Sequence, residues 1–390
     1  MTVVAQAAAA TTEQEPNDTP AQANWLTQYS PMTGAIDPAG DVDYFKVKGI
    51  NTNWGMVAML DADASTASKQ GVLTAYAPDG ITVLQRDAGT ASKKAVIAWT
   101  HFTGRDDHYL RVNASGDHQH ISQYTLRYYQ LPVCEQPEVE PNNTPAAANT
   151  SAITNIGAID SAGDVDCYAF YAQTDQKFIF VLNADPEGDG GPADFALDLY
   201  RSDGTLWVSA NRAGPGGNEY LDEVAIPESG VYAYCVRAVS GAGPNATYIS
   251  GPIRNGQNYT ASQEFALHWD NPRPGGFARV GEAMRYTLTY THTSPLTVPG
   301  PFRLHVSYEP ACQSIVDADH PDNQGADYFE WDYDELSPDM AVTKTFIMRA
   351  EAPCVDKVLV NVVLAYYVTA WGIGRDYIIG QGYYLPLVMR

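Results

Sequence analysis

Short stretches with apolar and polar residues alternating at a period of two, or with brief continuous apolar runs, recur along most of the chain. In the first third they are Tyr44–Val47, Gly55–Leu60, Val72–Tyr76, Ile81–Gln85, Ala95–Trp99, Tyr109–Val112 and Tyr124–Tyr129. Each has the length and β-branched or aromatic content of a strand. Ala77-Pro-Asp-Gly80 separates two of them and predicts a hairpin turn. Met284–Thr291 alternates cleanly, as a half-buried strand does, and Phe302–Tyr308, Ala341–Arg349 and Val358–Thr369 extend the pattern toward the C-terminus. No apolar run is long enough to span a bilayer as a helix. The expected fold class is all-β, with three consecutive β-sandwich domains.

An acidic cassette occurs twice. The first copy reads Glu13-Gln-Glu15-Pro-Asn17-Asp18-Thr19, then Gly34-Ala-Ile-Asp37-Pro-Ala-Gly40-Asp41-Val-Asp43-Tyr44-Phe45. The second reads Glu138-Val-Glu140-Pro-Asn142-Asn143-Thr144, then Gly157-Ala-Ile-Asp160-Ser-Ala-Gly163-Asp164-Val-Asp166-Cys167-Tyr168. Two separated submotifs in one order at near-constant spacing mark an internal duplication. The boundaries that follow are a leader or donated strand at 1–12, sandwiches at 13–133 and 134–269, and a third at 270–390. Leu197–Gly204 matches Leu73–Gly80, and Glu264–His268 is matched to the closing segment Tyr124–Tyr128. That alignment leaves 240–262 as an insertion, a place where contacts would gather.

The cassette carries hard-cation chemistry. Residues two apart on an extended segment point the same way, which pairs Glu13 with Glu15 and Asp41 with Asp43. Gly40 permits a sharp turn ahead of the Asp-x-Asp strand. Laying the arm beside that strand would gather carboxylates and amide oxygens, the ligands calcium takes. The spacing is not that of an EF-hand. The alternative is a turn capped by Asn17, Asp18 and Thr19, with the remaining acids solvated.

Glu-x-Glu-Pro-Asn-(Asp/Asn)-Thr followed by Gly-x-Ile and Gly-Asp-Val-Asp-x-(Phe/Tyr) resembles the bacterial pre-peptidase C-terminal domain. The resemblance implies two jelly-roll-like sandwiches with calcium between arm and strand. Its candidate ligands are Glu13, Glu15, Asn17, Asp18, Asp41 and Asp43, and in the second copy Glu138, Glu140, Asn142, Asn143, Asp164 and Asp166. Asn143 replaces an acid, so the second site has less charge. The third domain, with Met284-Arg-Tyr-Thr-Leu, Trp331 and Asn361-Val-Val, resembles an immunoglobulin-like repeat of bacterial surface proteins.

Charge narrows the partners. Lys and Arg number 23 against 46 Asp and Glu, a formal net charge of -23. A surface so acidic repels phosphates, which argues against nucleic acid and anionic membranes, and it suits divalent cations and an extracellular setting. Five cysteines suggest the pairs Cys312–Cys354 and Cys167–Cys235, the latter if their strands face one another, with Cys134 left over. Asn113, Asn149, Asn245 and Asn258 are sequons outside the cassette and candidate glycosylation sites. His101, His108, His118 and His120 invite a metal reading, but the tightest pair, His118 and His120, has no third partner and is read as a polar loop rather than a zinc site. No Gly-x-Ser-x-Gly, His-Glu-x-x-His or phosphate-binding loop occurs, and the chain is expected to be non-catalytic. The function expected is an extracellular structural subunit at the bacterial cell surface, assembling head to tail with itself into a fibre or layer. The alternative is a secreted adhesin for collagen-like protein or polysaccharide.

Overall fold

The computed structural model describes residues 10–390 except 50, 51, 53, 63–70, 91, 116–119, 134–135, 152–153, 256–264, 270–279, 293–294, 309, 352–359, 369–374 and 383–390. The described residues form strands and two 3-10 turns, with no α-helix. Two compact units emerge, 1–257 and 258–390.

The first unit holds both repeats. In repeat one the strands are β1 (Thr11–Thr12), β2 (Asn24–Trp25), β3 (Met32–Ile36), β4 (Val42–Lys48), β5 (Trp54–Ala62), β6 (Gly71–Tyr76), β7 (Val83–Ala88), β8 (Ala95–His101), β9 (Asp107–Ala114) and β10 (Ile121–Pro132). They form two five-stranded sheets, β1-β3-β10-β5-β8 and β2-β4-β9-β6-β7. Repeat two uses β11 (Gln136–Pro137), β12 (Asn149–Thr150), β13 (Asn155–Ala158), β14 (Val165–Ala172), β15 (Lys177–Asn183), β16 (Asp194–Tyr200), β17 (Leu206–Ala210), β18 (Glu219–Ala225), β19 (Gly230–Ser240) and β20 (Thr247–Asn255). Its sheets run β11-β13-β20-β15-β18 and β12-β14-β19-β16-β17. Adding ten to each label of the first repeat reproduces the second, so the duplication extends to the whole strand order.

Alternation builds each core. On β4, Asp43, Phe45 and Val47 point inward while their neighbours are half-buried or exposed. Phe45, Leu73, Leu110, Ile97 and Leu126 pack in the first sandwich, and Phe180, Phe195, Leu197, Tyr234 and Val236 in the second. Gly80 has φ 67° in the predicted β6–β7 hairpin, where the Asp79 carboxylate accepts from the Ile81 and Thr82 amides at 2.9 and 2.8 Å. Gly40 and Gly163 take φ 91° and 95° just ahead of β4 and β14, conformations in which a side chain would be strained.

Some sequence expectations are corrected. Glu264–His268 does not close the second repeat: Phe265–Trp269 pairs with Ala283–Thr291 in the other unit. The closing strand is β20, with Tyr248 opposite Gly157 as Tyr124 is opposite Gly34. Residues 240–262 are therefore no insertion, since they contain β20. The expected Cys167–Cys235 disulfide does form, between direct cross-strand neighbours on β14 and β19. Cys312 is disulfide-bonded; Cys354 and Cys134 lie outside the described residues. Of the leader, Thr11 and Thr12 pair in parallel with Met32 and Thr33 of the same chain, and residues 1–9 lie outside the described residues.

The two sandwiches share a second buried cluster. Val57, Met59, Val96, Trp99, Tyr129 and Leu131 pack with Ile179, Val181, Tyr220, Ile249 and Ile253. Register makes Val57 the counterpart of Ile179, Met59 of Val181, Val96 of Tyr220 and Tyr129 of Ile253. The same outer face of the same sheet is thus used by both repeats, as in a twofold dimer. Trp99 Nε1 donates to the Val181 carbonyl at 2.8 Å, and Asn218 Nδ2 to the Val96 carbonyl at 2.8 Å. Arg127 bonds Asp222 at 2.6 Å and Glu223 at 3.1 Å at the margin. Trp99 and Glu223 occupy equivalent bulges, each with φ 49°.

The second unit contains β21 (Phe265–Trp269), β22 (Ala283–Thr291), β23 (Val298–Tyr308), β24 (Gln313–Ala318), β25 (Asn323–Gln324), β26 (Tyr328–Leu336), β27 (Ala341–Ala350), β28 (Val360–Val368) and β29 (Arg375–Gly382). Its sheets are β21-β22-β27-β24 and β25-β26-β23-β28-β29. Met284, Tyr286, Leu288 and Tyr290 point inward in the predicted alternation and pack with Phe329, Trp331 and Phe346.

Trp99 both fills the inter-repeat cluster and caps a buried carbonyl. Trp99→Ala is expected to cost about 3–5 kcal/mol in equilibrium denaturation of the chain, with exposed interface surface detectable by dye binding. A loss below about 1 kcal/mol would show that the repeats do not stabilise one another.

Candidate metal centre

The N-terminal arm of each repeat runs past the start of β4 or β14. The Asn17 carbonyl accepts from the Tyr44 amide at 2.9 Å, and the Asn142 carbonyl from the Cys167 amide at 3.1 Å. Each arm is clamped again ten residues on. The Asn24 side chain bonds both backbone groups of Gln14, at 2.6 and 3.0 Å, and the Asn149 side chain those of Val139, at 2.7 and 2.9 Å.

That docking brings three carboxylates together in each copy. Glu13, Glu15 and Asp43 each place an oxygen within 4.8 Å of the others, and so do Glu138, Glu140 and Asp166. Asp43, Asp166, Asn17 and Asn142 are fully buried. Glu13 Oε1 accepts from the Ala35 amide at 2.7 Å, and Glu138 Oε1 from the Ala158 amide at 2.9 Å. Glu15 and Glu140 accept from the amides of Asn17 and Asn142 at 2.9 and 3.0 Å. Glu138 Oε2 is buried with no hydrogen-bond partner.

Sequence reading missed the tyrosine in each cluster. The Tyr124 hydroxyl contacts both Glu13 and Asp43. One hydroxyl carries one proton and cannot donate to two ionised carboxylates at once. In the second copy Tyr248 donates to Asp166 at 2.6 Å and also meets the Tyr168 hydroxyl at 2.7 Å, where repeat one has Phe45. The cassette glycine is explained by the same tyrosines. A Cβ on Gly34 would sit 2.3 Å from the Tyr124 oxygen and 2.4 Å from Glu13 Cδ. On Gly157 it would sit 2.5 Å from the Tyr248 oxygen.

Burial, with the glutamate beside it, pushes the Asp43 carboxyl up to about 9 against the pull of the Tyr124 hydrogen bond. Burial and the Glu138 carboxyl do the same for Asp166, also to about 9. Burial also raises Glu138. Without a cation, then, each cluster holds a proton at neutral pH. The Asn17 amide fits in two ways. With its nitrogen toward the cluster it donates to Glu15 Oε2 at 3.3 Å and Asp43 Oδ1 at 3.2 Å. With its oxygen there, an all-oxygen set of three carboxylates and an amide faces one space, the donor type a hard divalent cation takes.

Beyond these trios and the buried Asn17 and Asn142, four expected ligands stand apart. Asp41 lies in the turn before β4, where the alternation that would place it beside Asp43 has not begun. Its carboxylate accepts from the Asp37 and Val42 amides at 3.1 and 2.9 Å. Asp164 accepts likewise from Asp160 at 2.8 Å. Asp18 and Asn143 are exposed; Asp18 approaches Asp41, and the Asn143 amide reaches Asp164 at 3.0 Å. These four hold turns that frame the arm. Among the sequons, Asn113 and Asn149 use their side-chain nitrogens on the Ala114 and Val139 carbonyls, at 2.7 and 2.9 Å. Asn245 is exposed, and Asn258 lies outside the described residues. His108 is buried and bonded to the Asp106 carbonyl at 3.0 Å.

No protein-family profile and no curated protein sequence matches the chain. Solved structures do match over 56% of it. They include Bacteroides uniformis beta-glucuronidase, at 11% identity, 25% of that chain and TM-score 0.19. A putative beta-galactosidase from Bacteroides fragilis matches at 12% identity, 32% of that chain and TM-score 0.20. The PBSX exported protein XepA matches at 12% identity, 83% of that chain and TM-score 0.21. The match spans about a quarter of the beta-glucuronidase. One expectation is corrected here: with glycoside hydrolases among the matched structures, the lack of a familiar catalytic motif does not make the chain non-catalytic. At these TM-scores the likeness assigns it neither reaction nor substrate.

The raised carboxyls give a signed pH dependence. Unfolded aspartate titrates near about 3.9, so between that value and about 9 the cation-free folded chain holds protons the unfolded chain has lost. Stability contributed by Asp43 and Asp166 is therefore present in acid and falls as pH rises, by up to about 1.4 kcal/mol per pH unit per site. In chelator the melting temperature should drop from pH 5 to pH 8, and excess calcium should flatten that slope. An unchanged slope would mean the cluster takes no cation. Gly34→Ala should displace Tyr124 and reduce the calcium-dependent rise in melting temperature, read beside Gly104→Ala, where an added Cβ meets nothing within 4 Å.

Proposed function

We propose that the chain is a structural subunit of an extracellular surface assembly, a tandem pre-peptidase C-terminal-like module whose two sandwiches are each locked by a calcium ion. The observation that carries the cation reading is the repeated trio of carboxylates, Glu13, Glu15 and Asp43 and again Glu138, Glu140 and Asp166, built from equivalent positions around a buried asparagine and a tyrosine. Oxygen donors alone, several of them charged, suit calcium, which takes more oxygen ligands in looser geometry than the smaller and stricter magnesium. An ion bound there ties the start of each repeat to its fourth strand, beside the tenth strand that carries the tyrosine, closing the sandwich at its entry. The inter-repeat cluster makes the two sandwiches one stiff piece, which suits load-bearing better than a flexible tether. Self-association head to tail is the assembly proposed, because heterologous contacts that do not close give filaments or layers.

Calorimetric titration of chelated protein should find two calcium sites per chain. Occupancy at a hundredfold excess over Kd should add about 2.7 kcal/mol of stability per site. Asp43→Asn and Asp166→Asn should each remove one site. Electron micrographs with calcium should show filaments or layers that disperse in chelator. Calcium binding with monomers under every condition would retain the cation and sink the assembly.

A further inference from the structure

The duplication supplies an internal comparison on the face opposite the core of the sheet β2-β4-β9-β6-β7. Two rows of side chains cross that face in register. Trp25, Lys46, Tyr109 and Tyr76 form one row across β2, β4, β9 and β6. Tyr44, Arg111, Thr74 and Arg86 form the other across β4, β9, β6 and β7. Four strands at their usual spacing make each row about 14 Å long. Lys46 Nζ lies 4.7 Å from the centre of the Trp25 ring, and the Arg111 guanidinium 5.6 Å from that of Tyr76. Trp25 is 52% exposed and Arg86 is exposed.

In repeat two most of these positions change, although Tyr200 stands for Tyr76 and Asp198, ion-paired with Arg237, for Thr74. Thr150 stands for Trp25, Ala169 for Lys46 and Ala233 for Tyr109. The Tyr44–Arg111 pair is replaced by the Cys167–Cys235 disulfide, and Arg86 by Ser209. Folding therefore does not require Trp25, Tyr44, Lys46, Arg86, Tyr109 or Arg111 at this place. A staple with two alanines serves the same sandwich.

The cations are also unspent. Lys48, Lys93 and Lys94 of this repeat are ion-paired. Among the described residues Lys46, Arg86 and Arg111 have no carboxylate partner, in a chain with 46 acids. The Arg111 Nε and Thr74 hydroxyl are buried with no hydrogen-bond partner. Three uncompensated positive charges set among aromatic rings form a local reversal on a protein of net charge -23.

We propose that this face is a binding platform for an acidic polysaccharide, a uronate-bearing chain whose sugar faces lie on Trp25, Tyr44 and Tyr109 while its carboxylates meet Arg86, Arg111 and Lys46. A guanidinium fork matches a carboxylate, and aromatic rings give flat contact area at low entropic cost. An acidic peptide fits less well. Peptides are commonly held by an open sheet edge, a groove or a nest, whereas the backbone groups of β4, β9 and β6 are already used in the ladder. The platform is independent of the cation sites and goes beyond the structural role proposed above.

The test is affinity electrophoresis of the full chain in gels containing hyaluronan, run in chelator so that calcium cannot bridge polymer and protein. Dextran serves as the neutral control and poly-glutamate as the acidic-peptide control. Hyaluronan should retard the protein, dextran should not, and added salt should weaken the effect. Trp25→Ala with Arg86→Gln should weaken it about tenfold or more at an unchanged melting temperature. Lys46→Gln alone should weaken it in part and serves where the double variant melts lower. No retardation by hyaluronan, equal retardation by poly-glutamate, or unaltered binding in folded variants would each overturn the proposal. So would loss of self-association without loss of hyaluronan binding, which would make the face a contact between copies. Because no calcium is present, success or failure here leaves the cation reading where it stood.

Discussion

The first unit depends on how a buried carboxylate is kept neutral. Asp43 and Asp166 are removed from water at the point where an incoming arm delivers two glutamates. A lone ion there would cost several kcal/mol, and three together cannot remain ionised without compensation. Protons and a divalent cation are the two remedies, and the amide of Asn17 has an end for each. Its nitrogen satisfies the carboxylates of the protonated cluster; its oxygen completes a hard donor set. The rest of the entry geometry follows. A glycine must face the tyrosine, the arm must be clamped by an asparagine ten residues on, and the Asp-x-Asp turn must place only its second acid inward.

Much of this was legible. Period-two patterning located the main strands of the first repeat, and Asp79-Gly80 with Gly40 marked turns whose φ values require glycine. The trio Glu13, Glu15 and Asp43 was readable because the duplicated cassette repeats the arm acids and sets Asp43 at an inward position of β4. Asp41 was paired with Asp43 by alternation, but it lies in the turn ahead of β4, bonded to the Asp37 and Val42 amides. Tyr124 and Tyr248 carried no usable signal: a chain with 25 tyrosines offers one at many inward positions, and only the sheet register brings these two to the acids. The false match of Glu264–His268 has a similar origin. Periodicity states that a segment is a strand and is silent about which sheet accepts it.

The inter-repeat contact was signalled but not read. Met56-Val-Ala-Met-Leu60 and Ala95-Val-Ile-Ala-Trp99 are continuous apolar runs, the mark of strands buried on both faces. Phe178-Ile-Phe-Val-Leu182 is the counterpart of the first of these. A sandwich standing alone would have shown polar residues at every second position of these strands. Reading the repeats only as consecutive sandwiches overlooked that each has two apolar faces on one sheet and so needs a neighbour.

Duplication followed by divergence separates what folding demands from what it leaves free. Both copies keep the acids, the buried asparagine, the glycine and the tyrosine of the entry cluster, and both spend the outer face of one sheet on mutual packing. These are constraints of stability, because loss of any one exposes a buried charge or an apolar face. The outer face of the other sheet is under no such constraint, and there the copies part: one carries a disulfide, alanines and an Asp198–Arg237 ion pair, the other is furnished with more rings and with cations that have no carboxylate partner. Desolvating Arg111 without a partner costs free energy, and the second copy shows that the fold can avoid that cost. A feature that folding neither needs nor favours, yet is built across four strands in register, is best accounted for by something outside the chain that it contacts.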